Sequence, residues 1–339
     1  MPSFLSLPPK EQSQILRAGA AQLNKAANIL EKDVWVCWAL KQVFSIPHKH
    51  KMCFKGGTSL SKAYEAIDRF SEDIDLTIDY KKLMGEEASE TISRSQAAKL
   101  SKTLRIKLTE YLRGVVSPFL KEQVSAEFPE RKIDIRLDES GENILIDFDT
   151  ALDGPISTYV PNTVRLEFGG RNLTDPSTSY HIVPYLKAKY EDIEFPEADV
   201  DVLAMQRTFW EKATAIHVEC NRTPPRLPLR FSRHWADLLK MIEHPLGQTC
   251  LNDKEVLQSV IEHKQMFFYI ATADYPACAS GGLRLVPSGS VLASLEKDYN
   301  QMIDEKMFYE KTWNFQELIK KVSLLEKLIN NNFSSNQRL

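Results

Sequence analysis

The sequence predicts an α+β protein, a mixed sheet with flanking helices followed by a mainly helical C-terminal domain, and three observations carry that expectation. Short strand-like runs cluster in the first half: Met52-Cys53-Phe54, the alternating Ile74-Asp75-Leu76-Thr77-Ile78-Asp79, Lys132 to Leu137, Asn143 to Phe148 and Thr163 to Phe168. Helical spacing dominates the second half, from Val202 to Glu219, through Trp235, Leu238, Leu239 and Ile242, to Phe315, Leu318, Ile319, Val322, Leu325 and Leu328. The acidic stretch from Glu191 to Asp201, flanked by Pro184 and containing Pro196, separates the two, so residues 1–195 and 196–339 are expected as domains.

Within the first domain, Ile15, Leu23, Leu30, Val34 and Cys37 read as an amphipathic helical cover. After the run at Met52, Lys55-Gly56-Gly57-Thr58 reads as a turn, and Leu60, Ala63, Tyr64 and Ile67 as the helix it opens. A Lys/Arg-rich helix with leucines at four-residue steps spans Ser93 to Leu112, and a loop falls near Gly154-Pro155. In the second domain Pro224, Pro225 and Pro228 mark a loop, and Ser232 stands where a helix cap belongs.

Composition narrows the function classes. No window approaches the roughly 20 apolar residues of a membrane span, which predicts a cytoplasmic protein with no membrane partner. Five scattered cysteines without a C-x-x-C read as core thiols, not as a disulfide framework or zinc ribbon. His48 and His50 have no third ligand in view. A net charge of −3 leaves any nucleic-acid surface to a local patch, for which Arg222, Arg226, Arg230, Arg233 and Lys240, with Trp210 and Trp235 as stacking platforms, are the candidates.

Two short features carry chemistry. Gly56-Gly57 at a strand-to-helix turn lets backbone N–H groups approach phosphate oxygens, with Thr58 and Ser59 adding hydroxyls. Asp73 and Asp75 alternate along a strand, so both carboxylates face one side, where a hard divalent cation can bridge them to phosphates. A glycine turn alone is ordinarily a turn, and Asp-x-Asp alone a solvated face. Their succession across strand, turn, helix and strand points to metal-assisted phosphoryl or nucleotidyl transfer.

Lys55-Gly56-Gly57-Thr58-Ser59-Leu60 followed by Arg69-Phe70-Ser71-Glu72-Asp73-Ile74-Asp75-Leu76 resembles the AbiEii/AbiGii and MenT nucleotidyltransferase toxins, which have a DNA polymerase beta-like core. The resemblance extends to Glu31-Lys32-Asp33-Val34-Trp35-Val36, Arg207 to Ala215, Arg233-His234-Trp235-Ala236-Asp237 and Asp298-Tyr299-Asn300-Gln301-Met302, the last as a structural helix contact. It implies a toxin of a toxin–antitoxin or phage-defence system that moves nucleotides from an NTP to an RNA acceptor, expected to be the tRNA 3′ end. Mg²⁺ is the implied ion, with Mn²⁺ as a substitute, and a cognate antitoxin the implied partner. Lys212 and Asp237 would reach the nucleotide from the helical domain, Lys55 and Arg233 would help bind it, and Ser71 would be a site of regulatory modification. Without the resemblance, Lys212 reads as a solvated helix charge, and Arg233 and Asp237 as a local i,i+4 pair. A third metal carboxylate is expected from Glu167, with Asp134 as competitor. Transfer to a protein or small molecule, and an inactive nucleotide- or RNA-binding scaffold, are the alternatives.

Overall fold

The structure, a computed structural model, describes residues 1–69, 71, 73–84, 94–153, 161–305, 307–309 and 312–334. The chain forms two compact units. Met1–Ala63, Ser71–Glu90 and Lys99–Leu203 make the first; Tyr64–Phe70, Thr91–Ala98 and Ala204–Leu339 make the second.

In chain order the first unit carries α1 (Pro9–Leu23), α2 (Ala27–Ser45), β1 (Met52–Lys55), α3 (Gly56–Lys62), β2 (Ile74–Asp79), α4 (Tyr80–Met84), most of α5 (Arg94–Tyr111), α6 (Ser117–Glu127), β3 (Asp134–Leu137), β4 (Asn143–Asp147), β5 (Thr163–Asn172), β6 (Ser177–Ile182) and β7 (Ala198–Leu203). The strands form one mixed sheet in the order β3-β4-β5-β2-β1-β7-β6. β2 runs parallel to β5 and β1 parallel to β7, while the other neighbours are antiparallel. The hydrophobic core gathers around α2, where Trp35 stacks on Phe148 with centroids 5.1 Å apart and meets Phe128 edge-on at 5.4 Å. Such pairs add about 0.5–1.5 kcal/mol each beyond the area they bury.

The α+β class and the helical C-terminal part are as expected from sequence, and three local expectations change. The opening amphipathic stretch is two helices, because Asn24 ends α1 in the left-handed region, φ 51°, where a short amide side chain is tolerated. The helix after the glycines stops at Lys62, and Glu65 at φ 53° cannot continue it. Val202 lies in β7, so the long helix starts only at Met205. The acidic stretch read as punctuation runs into that strand: Ala198, Val200 and Val202 are buried while Asp199 and Asp201 are exposed. β7 and its antiparallel partner β6 went unread because the acids and prolines nearby hid the alternation. The Gly154-Pro155 loop falls outside the described residues.

The second unit comprises α7 (Met205–Asn221), α8 (Arg233–Glu243), α9 (Gly247–Asn252), α10 (Lys254–Phe267), α11 (Gly289–Asp304) and α12 (Phe315–Ser334). Its excursion from the first half of the chain, Tyr64–Phe70, is held by main-chain pairing, an Arg69–Phe308 bridge and a bond from Tyr309 N–H to the Asp68 carbonyl, 3.1 Å. The Asp298–Met302 block is structural. Asp298 accepts from the Arg230 and Ser232 amides at 2.7 and 2.9 Å, and Tyr299 donates its hydroxyl to the Trp313 carbonyl at 2.9 Å. Ser232 stands at the α8 N-cap position, but its hydroxyl turns to the Met302 sulfur at 3.2 Å instead of capping. Among the described residues no helix is long and apolar enough to cross a membrane.

Candidate active site

Antiparallel pairing of β1 with β2 sets Lys55 opposite Asp75, which brings the end of one strand beside the start of the next. The glycine turn that ends β1 therefore meets the aspartates that open β2. Gly56 is the first residue of α3 at φ +77°, and a Cβ built there would lie only 1.9 Å from an Asp75 carboxylate oxygen. Only glycine allows both that backbone conformation and that approach. α3 is seven residues long, two turns, so any anion it favours would be held by the unpaired amides of its first turn and not by a long helix dipole.

Asp75 is half-exposed on β2 while Ile74 and Leu76, which point the other way, are fully buried; Asp73 continues the alternation and is also half-exposed. The carbonyl of Asp73 is tied down by the buried Thr58, whose hydroxyl donates to it at 2.5 Å. Thr58 also lies 2.9 Å from the Ser71 hydroxyl. A hydroxyl has one proton, so with Thr58 committed to the carbonyl it is Ser71 that donates to Thr58. Ser59, fully buried, donates to the Gly56 carbonyl at 3.0 Å. Both hydroxyls that follow the glycines are thus used to shape the turn.

Strand order separates the two candidates for a third carboxylate. Glu167 on β5 is the register partner of Asp75, so it shares the row that runs Lys55, Asp75, Glu167 and Asn143 across four strands. Its side chain is 41% exposed and lies 3.8 Å from the Arg165 guanidinium. Asp134 is on β3, three strands from β2 and at the sheet edge, roughly 14 Å away at ordinary strand spacing. The donor set of Asp73 and Asp75 is all carboxylate oxygen, which fits a hard divalent cation such as Mg²⁺. Among the described residues no group of three or more His, Cys, Asp or Glu stands ready to hold a metal alone. A two-carboxylate set fits an ion that takes its other ligands from phosphate and water.

The second charged cluster lies in the helical unit. Lys212 on α7 donates to Asp237 on α8 at 2.8 Å, and the carboxylate also takes two bonds from Arg69, Nε to Oδ1 at 2.7 Å and Nη2 to Oδ2 at 2.8 Å. His234, one turn before Asp237, sets its Nδ1 3.1 Å from the Lys212 ammonium. Lys212 is therefore buried, not a solvated helix charge, and Asp237 serves Arg69 and Lys212 in place of a local pair with Arg233. Burial alone would raise the Asp237 carboxyl, but Arg69 and Lys212 outweigh it and hold the group well below the usual carboxylate range. Burial pushes Lys212 below the ordinary lysine range, which Asp237 opposes and Arg69 and Arg233 reinforce. His234 is pushed well below its usual value, by burial and then by the Lys212 charge, so its Nδ1 accepts from the ammonium as a neutral imidazole. Sequence reasoning missed Arg69. Its only signal was its place just before the aspartate motif, and nothing in spacing pairs it with a residue on α8.

Other candidates divide clearly. Glu31 and Asp33 are buried on α2 and brace the first unit: Glu31 accepts from Thr150 and the Ala151 amide, both at 2.6 Å, and Asp33 pairs with Lys62 at 2.7 Å. Trp210 and Trp235 are fully buried, Trp235 donating its indole N–H to the Leu285 carbonyl at 2.7 Å, so neither is a stacking platform as expected from sequence; large aromatic rings at helical spacing went to the core. Arg222 is held by Glu219 at 2.7 Å, whereas Arg226 and Arg230 are exposed in the loop before α8. All five cysteines are free, and all but the half-buried Cys220 are buried.

A family model described as nucleotidyl transferase AbiEii toxin, type IV toxin–antitoxin system, matches residues 38–321. Among solved structures, the chain resembles MenT4, a nucleotidyltransferase toxin from Mycobacterium tuberculosis H37Rv, at 14% identity and a TM-score of 0.46, over 97% of this chain and 99% of that one. A provisionally assigned nucleotidyltransferase from H. pylori matches at 13% identity and a TM-score of 0.40, over 90% of this chain and 94% of that one. No curated protein sequence gives a significant match.

Proposed function

Because this chain belongs to the AbiEii nucleotidyltransferase toxin family of type IV toxin–antitoxin systems, we propose that it transfers nucleotides from an NTP to an RNA acceptor, with the tRNA 3′ end as target. Nucleotidyl transfer itself, an NTP substrate and an antitoxin partner come with the family; nucleotidyltransferases as a class use a divalent metal ion.

Asp73 and Asp75 would hold Mg²⁺, with Glu167 as the adjoining carboxylate. The bound ion would supply charge neutralisation on the triphosphate and a lowered pKa for the attacking hydroxyl. The amides of Gly56 and Gly57 would receive phosphate oxygens, with Lys55 beside them and Thr58 and Ser59 keeping the turn in shape. Lys212 would add a compact positive charge to the phosphates, Asp237 would orient it, and Arg233 would assist; that they serve the same nucleotide rests on the motif resemblance. Arg226 and Arg230 are candidates for the RNA backbone. Ser71 is the proposed regulatory position: a phosphoryl group there would add about −1.5 to −2 charges and remove the proton donated to Thr58, two residues before Asp73.

The observation that best supports this reading is the approach of Gly56 to Asp75, which brings the backbone of the glycine turn against a carboxylate at a spot no other residue type allows. The test is incubation of the protein with Mg²⁺, each labelled NTP in turn and deacylated total tRNA, beside Asp73→Ala. Label on tRNA with wild type alone is the expected result. Label on protein would redirect the assignment to a protein acceptor, and no label with any acceptor would favour the inactive scaffold.

A further inference from the structure

The Arg69–Asp237–Lys212 chain of charges is graded in exposure. The side chains of Arg69 and Asp237 are 2% and 1% exposed, and that of Lys212 is 9% exposed. Of the three, Lys212 keeps the most exposed side chain. One carboxylate serves two cations, and Arg69 has the stronger hold, since its planar fork engages both oxygens while Lys212 shares only Oδ2.

We infer that Arg69 is a positioning residue for nucleotide binding: it locks the Asp237 carboxylate with two bonds and, by competing for its charge, keeps the Lys212 ammonium oriented but only partly neutralised, ready for triphosphate oxygens. This rests on the reading of Lys212 as a phosphate ligand. A Lys–Asp pair alone would satisfy itself, since an ammonium fully compensated by its own carboxylate offers little field to an anion. With Arg69 sharing the carboxylate, exchanging part of the Asp237 interaction for phosphate costs less. His234 supports the arrangement as a neutral acceptor on the other side of Lys212, directing the ammonium without adding charge. The groups facing Lys212 are Asp237, His234 and Arg233 from α8 and Arg69 from the Tyr64–Phe70 segment; burial is the main reason Lys212 is held below the ordinary lysine range, Asp237 opposes it, and Arg69 and Arg233 add to the lowering.

The test uses the full chain labelled with ¹³Cε-lysine, the Lys212 signal being assigned by its loss in Lys212→Met. That signal is titrated between pH 7 and 10.5 in wild type, Arg69→Gln and Arg69→Lys, and KM and kcat for NTP are measured alongside. Arg69→Gln is expected to move the Lys212 titration upward by about one pH unit and to raise KM on the order of 10-fold, more than it lowers kcat. Arg69→Lys should leave the titration near wild type and raise KM less. An unmoved Lys212 titration in folded Arg69→Gln overturns the inference. If Arg69→Gln does not fold, Arg69→Lys decides, because it keeps the charge and loses the fork: an unchanged KM overturns the positioning role. Wild-type NTP affinity in Lys212→Met would instead overturn the phosphate-ligand reading, while the titration would still report what Arg69 does to Lys212.

Discussion

Asp75 stands half-exposed beside a glycine, whereas Asp237 is closed off between a guanidinium and an ammonium drawn from distant parts of the chain. The first carboxylate is half-open to solvent and is placed by little more than a strand and a turn. The second has its oxygens fully engaged and would be ruinous to bury alone, because removing one partner of a buried ion pair leaves an uncompensated charge. The contrast separates two uses of an acid: Asp75 can act on an external ion, and Asp237 acts through the cations it holds. Substitutions in the two regions should therefore fail in different ways.

The largest effect on activity is expected from Asp73→Ala or Asp75→Ala, a loss on the order of 10³-fold or more in kcat/KM with the thermal midpoint nearly unchanged, checked by labelled-NTP transfer beside calorimetry. Equal losses of activity and stability would erase the contrast. Asp237→Ala should be the reverse in emphasis, destabilising the fold by about 3–5 kcal/mol in denaturant titration because two buried cations lose their counter-charge, with activity lost as a consequence. A folded, stable Asp237→Ala would show that the cluster is not under that electrostatic tension. Gly56→Ala lies between these, with about 1–2 kcal/mol of left-handed backbone strain and a displaced Asp75; its activity should fall far more than its stability.

The smallest effect is a pH dependence confined to the buried cluster. His234 is held below its unfolded value, so the unfolded chain binds more protons and stability is present above pH 6.5 and lost as pH falls below it. The slope would be at most about 1.4 kcal/mol per pH unit, and His234→Gln should flatten it in thermal melts between pH 7.5 and 5.5. Asp237 acts in the same direction lower down, since its depressed carboxyl loses its contribution only as pH falls below the ordinary carboxylate range.

The sheet site was legible because its parts are close along the chain and follow simple periods. Period two put Asp73 and Asp75 on one side, and a glycine pair after an apolar run marked a turn. The charge cluster was legible only through the motif resemblance, which gave roles to Lys212 and Asp237 and none to Arg69, although Arg69 opens a matched block. The strands β6 and β7 were lost because acids and prolines mask their alternation, and the pairing that places β7 in the sheet, with β1 at Phe54 and Val202, lies in no window of local sequence.

By itself, then, the sequence determined the mixed composition of strand and helix, the strand–turn–helix–strand order, the glycine turn and the paired aspartates, all properties of neighbouring residues. Tertiary structure decided which strands adjoin, and so that Glu167 and not Asp134 shares a row with Asp75. It decided that Trp210 and Trp235 fill the core, and that Arg69 and Lys212 share Asp237. The physical reason is range: backbone periodicity and turn chemistry act over a few residues, while burial and charge pairing are settled only when distant segments exclude water together.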